Sequence, residues 1–357
     1  MINMKVGILT FPHAPSLGAM LQMGALYHVI EEMGHDVAVI NYVSDKVNHK
    51  KTRTITPKAI LIEMLSKCFL KSARPSYQEF EQKLKMYPSQ VVSSTEQMSE
   101  LSKGLDRIIV GSDQVWNPVV TGHDLNFYLE FCSEPEKKAS YAASFGYMQA
   151  DPEYEEKISE LLKEFAFLSV REKDGQDIVK SLTGRKAELV LDPTLLVSAD
   201  YLKGEMEPCH RKKKYVLFFC IKPSVGLREK AEQYANKYGY ELVTVGGRIK
   251  ERFDPRKHPE YGVGPKEFLG LINGAQCVFT NSFHGMAISV ALHRDFFVEF
   301  SSDTNSRLVN LTEMLGMENR VVRDKTPLEE KIDYTHADEV LQRERKVSMQ
   351  YLGKVLQ

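Results

Sequence analysis

The chain has 357 residues, with 47 Lys+Arg against 48 Asp+Glu and a formal net charge of −1. That balance excludes broad nucleic-acid binding, which rests on a basic surface that neutralises phosphates, so no nucleic-acid partner is expected. Hydrophobic residues at 43% and charged residues at 27% fit an ordinary globular protein long enough for two domains.

Tyr215 to Ile221 is the longest apolar run near the C-terminal half, far short of the roughly 20 residues that span a bilayer. Met-Ile-Asn-Met-Lys runs directly into an apolar stretch, so no signal peptide is expected. Cys68, Cys132, Cys209, Cys220 and Cys277 form no Cys-x-x-Cys pair. That pattern predicts a reducing cytoplasm and argues against a disulfide scaffold or a standard structural zinc site, and His13, His123, His258, His293 and the acids show no His-Glu-x-x-His or comparable spacing to support a bound metal.

In chain order, Lys5 to Thr10 reads as a strand and Phe11 to Gly18 as a Pro/Gly loop. Leu21, Ala25, Leu26, Val29, Ile30 and Met33 predict a helix over Ala19 to Met33, with Gly34 where a C-cap belongs. Asp36 to Asn41 is the next strand, and this β-loop-α-β opening predicts an open parallel sheet. Residues from about 43 to 105 are polar and read as a helical insertion, helical over Ala59–Phe69 and Tyr77–Tyr87. Further strands are predicted at Arg107–Val110, Lys138–Ala143, Leu168–Val170 and Ala187–Leu191, with helices near Glu153–Phe165 and Lys173–Leu182.

The basic run Cys209-His210-Arg211-Lys212-Lys213-Lys214 reads as a solvated linker and a domain boundary. After it the βα alternation restarts. Strands are predicted at Tyr215–Phe219, Glu241–Val245, Cys277–Thr280 and Phe296–Phe300. Helices are predicted at Val225–Tyr238, Pro265–Asn273, about Gly285–Leu292, and Ser306–Leu315. The expected organisation is therefore a first doubly wound α/β domain over 1–208, a second over 209–330, and a C-terminal helical segment over 331–357, the two domains facing each other across a cleft.

Ligands of open α/β sheets bind beyond the carboxyl ends of the strands. The residues there are Ser16-Leu17-Gly18, Gly111-Ser112-Asp113, Ser144-Phe145-Gly146, Arg171-Glu172, Gly246-Gly247-Arg248 and Asn281-Ser282-Phe283-His284-Gly285. Hydroxyls, small residues, a His and arginines suit an anion, because helix N-termini bind phosphate and Arg grips carboxylate or phosphate bidentately. His284 stands at a predicted helix N-terminus, where it could act as an acid beside an anion or serve as a structural cap. Arg171 reads equally as an anion contact or an ion pair with Glu172 or Asp174. Asp113 reads equally as a helix N-cap or a functional carboxylate. Trp116, the single Trp, favours packing over a sugar platform. No Gly-x-Ser-x-Gly elbow is present, which argues against a hydrolase triad.

Taken together, four segments resemble the polysaccharide pyruvyl transferase family. They are Gly18-Ala19-Met20-Leu21-Gln22 with Gly34-His35 and Ile40-Asn41-Tyr42; the stretch Asp106 to Asn117; Tyr141 to Gly146 with Ser169-Val170-Arg171-Glu172 and Leu191-Asp192-Pro193-Thr194; and Gly264-Pro265-Lys266-Glu267-Phe268 with Thr280 to Gly285 and Asn305-Ser306-Arg307. The resemblance implies two Rossmann-like domains similar to type B glycosyltransferases. It also implies transfer of an enolpyruvyl-derived group from phosphoenolpyruvate to a sugar of an exopolysaccharide or capsule precursor, giving a pyruvate ketal and free phosphate. Phosphoenolpyruvate would be a substrate and no cofactor is implied. A lipid-linked acceptor would bring the protein to the inner membrane surface by contact, not insertion.

Carried onto this chain, the resemblance puts His284 and Arg171 at the donor. On this reading His284 protonates the donor methylene, Asp113 is the base for the sugar hydroxyl, and Arg171 holds the donor's carboxylate or phosphate. Donor contacts are further expected from Ser282, Asn281, Gly285, Arg307 and Ser144, and acceptor contacts from Gly18, Gln22 and Trp116. The first loop reads Ser16-Leu17-Gly18-Ala19 where the family commonly has Asn-Tyr-Gly-Ala. Ser282 stands where some members have Arg, with Arg307, Lys222 or Arg248 as substitute cations. The alternatives are a nucleotide-sugar glycosyltransferase on the same fold and a non-catalytic relative that binds glycan precursors.

Overall fold

The computed structural model describes residues 3–48, 74–146, 152–246, 258–260, 262–300, 306–323, 326–328 and 331–357. The predicted helix Ala59–Phe69 and the candidate cation Arg248 lie outside them. The chain divides into two compact units. Among the described residues, one comprises 3–48, those within 81–196 and Arg343–Gln357; the other holds 74–80 and those within 197–342.

The first unit is built on five parallel strands in the order β3-β2-β1-β4-β5, namely Met86–Val92, Asp36–Tyr42, Lys5–Leu9, Arg107–Gly111 and Lys138–Tyr141. Central strands of such a sheet are covered on both faces and so read as continuous apolar runs. Ile108, Ile109 and Val110 are accordingly all buried. Helix Leu17–Glu32 covers the sheet, with Ser16 as its N-cap accepting the Ala19 N–H at 3.4 Å. The helix is buried almost all round, more so than an amphipathic surface helix. Gly34, at φ +88°, ends it as expected. A short pair, β6 (Ser169–Val170) with β7 (Glu188–Leu189), continues beside β5 through bridges Ala139–Phe167 and Ala143–Val170.

The second unit repeats the order. Its five parallel strands run β10-β9-β8-β11-β12, that is His258–Glu260, Glu241–Val245, Tyr215–Phe219, Cys277–Thr280 and Phe296–Val298. In each unit the first and fourth strands lie side by side, which is the switch point where open α/β sheets bind ligands. Both units are Rossmann-like, so the α/β fold class read from the sequence holds.

Three expectations change. The stretch 43–105 is not wholly helical. Met86–Val92 is an edge strand paired with β2, and Thr95–Ser102 is a short helix capped by Ser94. Tyr87 therefore belongs to a strand, not to the helix expected over Tyr77–Tyr87. The division between units falls at Val197, not at residue 209, and residues from Arg343 onward join the first unit instead of forming a separate segment. There Tyr351 donates to the Ser140 carbonyl at 2.8 Å, and Ser348 Oγ accepts the Leu191 N–H at 2.9 Å. The basic run is not merely solvated: Arg211 pairs with Glu241 and Glu260, and Lys213 with Glu241 at 3.0 Å.

Candidate functional site

In the first unit the loops after β4 and β5 are zipped together. The Ser112 N–H donates to the Tyr141 carbonyl at 2.9 Å, Ser144 N–H to Asp113 at 3.0 Å, and Trp116 N–H to Ser144 at 3.1 Å. Asp113 adopts φ +68°, a left-handed backbone that a non-glycine residue seldom takes. Gly146, at φ +66°, closes the segment. A Cβ there would displace the Gln114 and Asn117 side chains, and the left-handed backbone itself favours glycine.

Arg171, one residue past β6, lies beneath these loops with its side chain fully buried. Its Nη1 donates to Asp192 Oδ2 at 2.7 Å and to Ser112 Oγ at 3.4 Å, and its Nη2 to Asp113 Oδ1 at 3.3 Å. Glu172 Oε2 lies 3.8 Å from Nε, while Oε1 accepts the Phe145 N–H at 3.1 Å. Asp192 Oδ2 also receives the Ser112 hydroxyl at 2.9 Å, and Oδ1 receives the Thr194 amide and hydroxyl at 3.0 and 2.7 Å. Burial lowers the guanidinium's pKa, but Asp192, Asp113 and Glu172 outweigh it and leave the group raised above its ordinary value. One cation faces three carboxylates. Arg171 is therefore built into the protein interior, not extended toward a donor. What it presents is Asp113, whose side chain is 16% exposed.

The remaining first-unit candidates are equally interior. Ser144 is buried, and its Oγ accepts the Gly146 N–H at 3.1 Å. Gly18 is buried in the first turn of its helix. Gln22 is fully buried and donates to Thr10 Oγ1 at 3.1 Å and to the Ala19 carbonyl at 2.9 Å. The Trp116 ring has no exposed surface: its Nε1 donates to the Phe127 carbonyl at 3.0 Å, and it stacks on Tyr128 at 5.7 Å between centroids. The packing reading of Trp116 is the one its surroundings support.

The second unit gathers its candidates at the end of β11. Ser282 caps helix Phe283–Ala291, its Oγ accepting the Gly285 N–H at 3.3 Å. Its own N–H goes to Thr280 Oγ1 at 3.0 Å. Asn281 clamps the loop after β8, accepting the Ile221 N–H at 2.9 Å and donating to the Lys222 carbonyl at 2.7 Å. A Cβ on Gly285 would lie 2.5 Å from Thr280 Oγ1, so only glycine lets the helix start this close to the strand. These contacts place His284 in the helix's first turn, 7% exposed, edge-on to Phe283 at 5.3 Å. Arg307 is half-buried in helix Ser306–Met314 and Lys222 is exposed. Burial pushes the Cys220 thiol up to about 12 and that of Cys277 well above its ordinary value, so neither supplies a thiolate nucleophile.

One residue escaped the sequence reading as a site candidate. His13, in the loop after β1, reaches Asn41 Oδ1 with Nε2 at 2.8 Å and Glu81 Oε2 with Nδ1 at 3.7 Å. Its pairing with Glu81 raises its pKa, against burial, which lowers it. Its place just beyond the carboxyl end of a central strand was the available signal. Among the described residues no group of three His, Cys, Asp or Glu is arranged to hold a metal ion, and no helix is long and apolar enough to cross a membrane.

Comparison with known proteins bears on this arrangement. No curated protein matches the chain in sequence. Among solved structures, a protein from Listeria monocytogenes provisionally assigned as a UDP-N-acetylglucosamine 2-epimerase superposes with a TM-score of 0.51 at 13% identity, covering 98% of this chain and 91% of that one. The UDP-GlcNAc 2-epimerase of Neisseria meningitidis gives 0.49 at 13% identity over 97% and 94%. The glycosyltransferase SnogD of Streptomyces nogalater gives 0.48 at 12% over 98% and 96%. At such identities the likeness speaks for the fold alone, and it is the Listeria protein that carries it. The sequence profile described as polysaccharide pyruvyl transferase matches residues 17–298, which carry both strand-end clusters. The chain belongs to the polysaccharide pyruvyl transferase family.

Proposed function

We propose that the protein transfers an enolpyruvyl-derived group from phosphoenolpyruvate to a sugar of a surface polysaccharide or its precursor, forming a pyruvate ketal and releasing phosphate. The observation that carries this reading is His284 in the first turn of a Ser282-capped helix, inside a chain of this family. A helix N-terminus favours an anion through its free N–H groups and its dipole, and it sets an acid beside that anion.

His284 gives a proton to the donor's methylene carbon, which becomes a methyl group and leaves C2 electrophilic. A sugar hydroxyl bonds to C2 and its proton passes to Asp113. The C2–O bond to phosphate breaks with its electron pair. A second sugar hydroxyl then bonds to C2 and closes the ketal, its proton passing to the released phosphate, while the proton held by Asp113 returns to His284 through water. Arg171 is a positioning residue on this account: it orients Asp113 and does not hold the donor, which revises the role expected for it.

Titration calorimetry tests the donor. Saturable binding of phosphoenolpyruvate, weakened in His284→Ala and absent for UDP-glucose and UDP-N-acetylglucosamine, is expected. With the cognate sugar, phosphate release by His284→Ala should fall about 10²–10⁴-fold, the range for loss of a general acid, with the melting temperature retained. Binding of a UDP-sugar without phosphoenolpyruvate binding would replace pyruvyl transfer by glycosyl transfer.

A further inference from the structure

The second unit holds a cavity of about 360 Å³ that neither strand-end cluster uses. It opens at the amino edge of the sheet. Lys214 directly precedes β8, Tyr240 precedes β9, and Arg294 and Asp295 precede β12; Tyr234 and Lys331 complete the wall that matters here. The Asn281–Gly285 motif lies beyond the opposite edge. Five residue steps along β11 separate Gln276, in the cavity, from Asn281, about 16 Å of extended chain. The cavity is therefore not a subsite of that motif.

Its charge is one-sided. Lys214, Arg294 and Lys331 face a single carboxylate, Asp295. That carboxylate is engaged, its Oδ1 accepting the Ile332 N–H at 2.9 Å and tying the Lys331 segment to the sheet. The His293 ring is held by Asp338 at 2.9 Å. Neither Lys214 nor Lys331 has an ion-pair partner among the described residues. Three cations converging on one cavity against a single carboxylate repel each other, and an anion bound among them relieves that repulsion.

The walls add a second chemistry. The Tyr240 ring lies 6.0 Å from Lys214 Nζ, and Tyr234 faces the same space. The hydroxyls of Tyr234 and Tyr240 make no hydrogen bond among the described residues, which leaves two phenol groups for a ligand. The volume lies at the small end of the ~300–1,000 Å³ typical of ligand pockets.

We propose that this cavity binds a small phosphomonoester carried on a ring, of the size of a sugar phosphate or a mononucleotide. Lys214, Lys331 and Arg294 hold the phosphate, and Tyr234 and Tyr240 line the ring and meet its hydroxyls. The proposal stands apart from pyruvyl transfer and survives its failure.

The full chain is titrated calorimetrically with glucose 6-phosphate, UMP and inorganic phosphate. One of the two ring compounds should bind saturably, at least tenfold more tightly than inorganic phosphate; which one does so identifies the ring. The double variant Lys214→Glu/Lys331→Glu, altered only at exposed side chains, should weaken that binding at least tenfold with an unchanged circular dichroism spectrum. His284→Ala should leave it unchanged. Absence of saturable binding by both ring compounds overturns the proposal. So does binding that survives the charge reversal or disappears in His284→Ala.

Discussion

The two units share a strand order and place their motif residues beyond the same ends of their sheets, yet the chemistry there is opposite. The first unit buries one guanidinium among Asp113, Glu172 and Asp192. The second offers hydroxyls, an amide, a histidine and a helix N-terminus, with no carboxylate in the Asn281–Gly285 motif. Topology thus decides where groups gather, and side chains decide which charge they welcome. An acidic, internally satisfied cluster is poorly suited to a donor bearing both carboxylate and phosphate. A helix N-terminus suits one well.

Substitutions can break this contrast. The largest effect is expected at Arg171. Removing the cation strands the buried carboxylates of Asp192 and Glu172 and leaves Asp113 beside them, so Arg171→Met should lower stability by about 3–5 kcal/mol in denaturant unfolding. A variant that melts like the parent and loses only donor affinity would mean that Arg171 faces the ligand, and the contrast would fail. Next comes Gly285→Ala. Its methyl group would meet Thr280 Oγ1 at 2.5 Å, and separating helix from strand should cost about 1–3 kcal/mol. Ser282→Ala should cost about 1 kcal/mol through loss of the helix cap. Both losses should appear in thermal melts, and a melt insensitive to either would show that the β11 motif is not held in the way described.

The smallest effect concerns pH and sharpens the first unit's side. His13 has a folded-state pKa raised by its pairing with Glu81. Its contribution to stability is therefore complete below the unfolded value of about 6.5 and is lost as pH rises through the elevated one. Comparing unfolding of the parent and His13→Gln between pH 5 and 8, about the range in which a histidine titrates, should show a difference that shrinks toward the alkaline end. A difference that grows with pH would contradict the pairing.

The alternation of strand and helix was legible because buried parallel strands are continuous apolar runs, as at Ile108–Val110 and Val278–Phe279. Met86–Val92 was not, since an edge strand carrying Pro88, Ser89 and Gln90 has no apolar run to show. The β11 motif was legible for a local reason: cap, clamp and close-approach glycine all act within a few residues. The surroundings of Arg171 were not. Its partners Asp192 and Asp113 lie 21 and 58 positions away in sequence, and only the fold brings them together. The packing of Trp116 among Tyr128, Phe145 and Phe165 is hidden in the same way.

The helix Thr335–Val355 has a consequence for how the protein is made. Apart from this helix, the first unit's described strands and helices are all translated by Leu196, yet the Ser140 and Leu195 carbonyls and the Leu191 amide bond to Tyr351, Arg345 and Ser348. At roughly 5–20 residues per second of synthesis, the earliest-made sheet waits many seconds for its last partners. Until this helix is made the Leu191 amide and the Leu195 carbonyl lack these partners, so the first unit completes its packing only after residues as late as Tyr351 have been synthesised.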